Sequence, residues 1–192
     1  MTYLIFGLIL FIGIHSISIV SPGGRDALVA RLGDGPWKVV YSLLSLAGFV
    51  LIIWGYGDAR PTSAVLYTPP AWLRHLALLL LLPVFPLFVS TYLPGRIRSA
   101  AKHPTLLATK LWATGHLLAN GSLADVLLFG GFLAWAAADR ISFKSRTQRP
   151  MPAAPPSGYN DIIAVVIGLA VYVVFVMGLH AWLFGVSPIA MS

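Results

Sequence analysis

The chain has 192 residues, 58% of them hydrophobic and only 10% charged, against about 25% charged in a soluble domain. A mean hydropathy of +0.84 marks an integral membrane protein, and the length allows one domain, residues 1–192, and little else. The net charge of +7 comes from thirteen basic residues spread between apolar runs; without a groove or patch it excludes nucleic acid as a partner and reads as the positive loops of a membrane protein.

The opening "MTYLIFGLILFIG" has no basic leader and no A-x-A cleavage site follows, so it is expected to persist as a first span, about Thr2 to Val20. "RDALVARL" then reads as a short amphipathic segment at the membrane interface. A second span is expected over about Val39 to Tyr56 and a third over about Trp72 to Tyr92. "LLPVFP" places Pro83 and Pro86 inside the third, and each removes a backbone donor, which predicts a kink.

Next comes "KHPTLLATKLWATGHLLANG", residues 102–121. Here a fourth run, about Leu106 to Ala119, is split from a fifth, about Leu123 to Ala138, by "NGSLAD". A crossing takes about 20 residues, and the fourth run falls short. "RTQRPMPAAPPSG", about 146–158, is rich in Pro and small residues and predicts a flexible linker. A sixth run covers about Asp161 to Phe184. The expected fold class is therefore an all-α bundle of about six transmembrane helices.

Loop charge sets the expected orientation. Arg25, Arg31, Lys38, Arg96, Arg98, Lys102, Lys110, Arg140, Lys144, Arg146 and Arg149 fall on one side, against Arg60 and Arg74 on the other. Eleven against two places the basic loops in the cytoplasm and both termini outside. Trp37, Trp54, Trp72, Trp135 and Trp182 fall near span ends, as an interfacial aromatic belt requires.

No cysteine is present, which excludes disulfides, thiolate metal sites and covalent C-x-x-C-H haem attachment. Metal or haem would rest on His, Met, Tyr or oxygen ligands. His75, beside Arg74, reads as an interfacial polar residue. His103 precedes Pro104 and reads as a helix start. His15, His116 and His180 are embedded in apolar sequence, where ionisable groups are costly and face the bundle interior. They read either as helix-to-helix hydrogen-bonding groups or as metal or haem ligands.

Depth leaves two pairings open. If Lys110 and Trp112 mark the membrane interface, His116 lies ~9 Å deep, level with His15 at ~7.5 Å. If the helix starts at Pro104, His116 is ~18 Å in and approaches His180, with Met177 behind it on the same face. Thr109, Trp112 and Asn120 share the His116 face. They would offer a ring-shaped ligand an aromatic wall and a polar handle, or serve as ordinary packing. Asp125 reads as charge complementing a helix N-terminus. No hydrolase motif and no phosphate loop appears, and no carboxylate accompanies the histidines as a facial triad requires.

With His15 in the first span, "KHP" at 102–104 and "LWATGHLLANG" at 111–121, the chain resembles the NnrU family of bacterial inner-membrane proteins linked to nitric oxide and nitrite metabolism. The resemblance runs through the closing "LHAWLFGVSP". The thirteen-residue step from His103 to His116 is also found in a relative, 15-cis-zeta-carotene isomerase, a haem b membrane protein. The resemblance implies non-covalent haem b with His15 and His116 as axial ligands, and the second depth pairing keeps His180 in reserve. The resemblance also implies a multi-pass protein of the bacterial inner membrane, in contact with lipid. Its role would be to support denitrification through a redox or nitric-oxide response, or to isomerise a lipophilic polyene. Lys102 stands where the family commonly has Arg. The alternative is a non-enzymatic scaffold or transporter subunit with structural histidines.

Overall fold

The structure, a computed structural model, describes residues 1–146 and 151–189. Its helices, in chain order, are α1 (Thr2–Val20), α2 (Pro22–Leu32), α3 (Asp34–Ala59), α4 (Leu73–Leu81), α5 (Val84–Ser90), α6 (Arg96–Ala101), α7 (Pro104–Ala119), α8 (Leu123–Ser142), α9 (Asn160–Val174) and α10 (His180–Phe184). A 3₁₀ turn follows α3, and a π turn, Phe175–Leu179, joins α9 to α10. Among the described residues the fold is all-helical, with one isolated antiparallel bridge between Val65 and Ser122. Four segments are long and apolar enough to cross a membrane: Thr2–Val20, Asp34–Thr62, Leu73–Ser90 and Asn160–Phe184.

The described residues fall into two compact units. The first lies within 1–68 and 121–146, where α1 packs on α3 and α8. Glycine permits the α1–α3 contact. A Cβ on Gly48 would lie 2.8 Å from Phe11 N, and one on Gly7 would lie 2.7 Å from Ile52 N. The two backbones therefore touch, and dispersion gathers along the seam, as between membrane helices with small interface residues. Gly131 gives α8 the same access to α1, since a Cβ there would meet Ile12 Cδ1 at 3.5 Å.

Helix α8 starts on a capping box. Ser122 Oγ accepts from Asp125 N (3.3 Å) and the Asp125 carboxylate accepts from Ser122 N (2.9 Å). Tyr56 OH from α3 donates to the same carboxylate at 2.6 Å, so Asp125 is a cap and a cross-helix acceptor together. Helix α2 has Ser21 as N-cap and Pro22 in its first turn, and buries no residue. That is the behaviour of a surface segment.

The second unit lies within 69–120 and 151–189. Pro83 breaks the third apolar run into α4 and α5, as its missing donor requires. Pro86 is buried, and Gly168 of α9 lies so close to it that a Cβ would collide with the Pro86 backbone. Tyr172 OH donates to Leu78 O (2.9 Å), just upstream of the break. Val84, Leu87 and Ala108 form the core here, with Leu111 and Trp112 packed on it. Helix α7 starts at Pro104, the second of the two alternatives read from the sequence.

The loop between α9 and the preceding helix is partly tied down. Ala154 N–H donates to Tyr92 O (2.9 Å) and Asn160 Nδ2 donates to Pro155 O (3.1 Å). Residues 147–150 of the linker expected at 146–158 lie outside the described residues.

Candidate functional site

His15 sits on α1 in the first unit, half-buried. Its Nδ1 is 2.7 Å from the Phe11 carbonyl one turn back. A carbonyl only accepts, so Nδ1 carries the proton and Nε2 is the lone-pair nitrogen. The ring stacks on Phe11 (centroids 4.2 Å apart), tilts against Tyr41 of α3 (5.2 Å) and meets the edge of Trp135 of α8 (6.0 Å). Asp139, one turn beyond Trp135, is buried and pairs with Arg146. Trp135 Nε1 and Arg146 Nε are buried donors with no acceptor among the described residues, a costly condition unless a bound molecule supplies one.

His116 sits near the C-terminal end of α7 in the second unit and repeats this construction. Its Nδ1 is 2.8 Å from the carbonyl of Trp112, again one turn back and again aromatic, with ring centroids 5.3 Å apart. Asn120 ends the helix, and its Nδ2 donates to His116 O (3.0 Å). Trp112 and Asn120 thus both adjoin His116, as their helical spacing predicts.

His180 stands in the same unit as His116, with ring centroids 6.4 Å apart and planes 24° apart. Its Nδ1 is held at 2.7 Å by Val186 O, and Phe184 lies against its ring. Two imidazoles bound trans on one metal, each at about 2 Å, have centroids about 6 Å apart, the spacing found here. Met177 does not join them: it is 75% exposed and lies within the π turn ahead of His180. π turns of this kind recur at functional sites. His75 is exposed at the start of α4, and His103 is the residue before α7.

The histidines suit a porphyrin better than a bare ion. A metal held by protein alone takes three or four ligands, and no group of three such side chains occurs among the described residues. A haem asks for one or two axial nitrogens. His15, His116 and His180 each have Nδ1 fixed on a carbonyl, the arrangement that orients a ligating imidazole. The orphaned donors of Trp135 and Arg146 match the carboxylates that haem b carries.

A family model described as NnrU protein matches residues 3–188. The chain belongs to the NnrU family. Comparison with curated proteins and with solved structures gives no match.

In this NnrU chain, sequence reasoning named Trp112 and Asn120 beside His116 and missed the surroundings of His15. Tyr41, Asp139 and Arg146 went unassigned, and Trp135 was read only as a belt residue. A signal existed in Phe132, Trp135 and Asp139, which follow at helical spacing and so share one face of α8. Phe132 meets Phe11, and Trp135 meets His15.

Proposed function

We propose that this NnrU-family chain is a multi-pass protein of the bacterial inner membrane that holds one non-covalent haem b through His15 and His116. The observation that supports the pair is their shared construction. Each is a half-buried imidazole one turn after an aromatic residue, stacked or tilted on that ring, with Nδ1 bound to its carbonyl. His180 lacks that construction, since its Nδ1 partner lies six residues ahead. It is the reserve ligand, near enough to His116 to replace His15. Trp112 supplies an aromatic wall, Asn120 fixes the end of the helix that carries His116, and Trp135 and Arg146 offer donors to the propionates.

Haem bound there supplies a redox-active iron. The roles that fit are a redox or nitric-oxide response in denitrification, or isomerisation of a lipophilic polyene. The protein would span the membrane six times, α7 and α8 adding to the four longer apolar segments, with both termini outside.

The absorption spectrum of the purified, haem-replete protein tests this reading. A Soret band with reducible α and β bands is expected. His15→Ala and His116→Ala should each abolish it or turn it high-spin, and His75→Ala should leave it intact. A chain that takes up no haem is the scaffold instead. Loss of haem in His180→Ala with retention in His15→Ala overturns the pair in favour of His116 with His180.

A further inference from the structure

A cavity of about 480 Å³ opens in the second unit, lined by Pro94, Gly95, Arg98, Ser99, Lys102 and His103. It lies between two candidate crossings, where Leu73–Ser90 ends and Asn160–Phe184 begins. Asn160 donates to Pro94 O (2.8 Å), and Asp161 accepts from Arg96 N (2.8 Å) and Ile97 N (3.0 Å), so the start of the second crossing is fastened to the segment that lines the cavity. With both segments across a bilayer, the cavity would lie at the level of lipid headgroups. Asp161 is the acidic residue beside it, and its carboxylate is already taken by those amides. Arg98 and Lys102 line the cavity and make no ion pair among the described residues.

The backbone at Lys102 is strained. Its φ is 59° and ψ is −44°, the only positive φ at a non-glycine residue among those described. His103 N donates to Ala101 O across it at 2.6 Å. That is a γ-turn of the uncommon, strained hand. Glycine would form it at lower cost, yet lysine occupies it. Strain of this kind collects at ligand clamps.

We infer that this cavity binds a phosphate-bearing anion, and that its source is the headgroup of an anionic phospholipid. The phosphate would sit between the Arg98 guanidinium and the Lys102 ammonium, with the acyl chains lying along the exposed apolar residues of the adjoining crossings. The site is separate from the three imidazoles and does not depend on haem.

The test is titration of the full-length protein, in a neutral detergent, with a fluorescent phosphatidylglycerol. Phosphatidylcholine and inorganic phosphate serve as competitors. Phosphatidylglycerol should bind well ahead of phosphatidylcholine, and inorganic phosphate should not displace it. Arg98→Gln and Lys102→Gln should each weaken binding roughly fivefold, and Lys102→Arg should preserve it. Lys102→Gly relieves the turn while removing the charge, so it should fold at least as stably and still lose affinity. Equal binding of the two lipids, or unchanged binding in the Arg98→Gln, Lys102→Gln double variant, overturns the site. Displacement by inorganic phosphate overturns the lipid and leaves a free-phosphate pocket.

Discussion

Asp125 accepts hydrogen bonds from Ser122 N, Ser122 Oγ and Tyr56 OH while only 4% exposed. Replacing it with Ala strips a cap and leaves the tyrosine hydroxyl without its partner. Together these should cost about 2–3 kcal/mol, lowering the thermal midpoint in detergent by roughly 5–10 °C. Tyr56→Phe removes one bond and should cost about 1 kcal/mol. An Asp125→Ala midpoint equal to wild type would show that the cap carries no weight. The cap was legible in the sequence, because charge complementarity at a helix start depends on neighbours in the chain. The Tyr56 bond was not, because it joins residues 69 positions apart. The same division holds at the imidazoles. Trp112 and Asn120 sit at helical spacing from His116 and were found, whereas Tyr41 and Trp135 reach His15 from other helices.

Between elements, proline was easier to read than glycine. Pro83 and Pro86 announce a break, because a missing N–H acts within its own helix. Gly7, Gly48 and Gly168 act on another helix, and nothing within their own segment tells close contact from plain apolar filler. The π turn before His180 was equally silent, and Met177, which lies in it, is exposed. The seam between α1 and α3 can be tested directly. Gly48→Leu forces a side chain into the Phe11 backbone, 2.8 Å from its nitrogen at the Cβ alone, so the helices must part. Over-packing of this kind costs about 1–3 kcal/mol. Phe11 stacks on His15, so the variant should lose thermal stability and, under the proposed haem reading, weaken retention of haem. Gly13→Ala, with nothing within 4 Å of its Cβ, should do neither. Equal behaviour of the two variants would mean that the close approach is not needed.

At the scale of the whole chain, the six apolar runs of the sequence all become helices, and four of them are long and apolar enough to count as crossings. The other two, α7 and α8, have 16 and 20 residues. At 1.5 Å per residue they reach about 24 Å and 30 Å, against a hydrocarbon core of about 30 Å. Helix α8 is long enough to span it. Helix α7 would do so only if the bilayer thins or the cation ahead of it, Lys102, snorkels. Six crossings would put the termini on one side, and the division of basic residues, eleven against two, would put that side outside. A reporter active only after export, fused behind Ile189, should therefore be active. A reporter active only in the cytoplasm should work when inserted at Gly158. If α7 failed to cross, five crossings would remain and the two ends of the chain would lie on opposite sides. The exported reporter at Ile189 would then be silent while the same reporter ahead of Met1 stayed active, and a six-span protein could not give that pair of results.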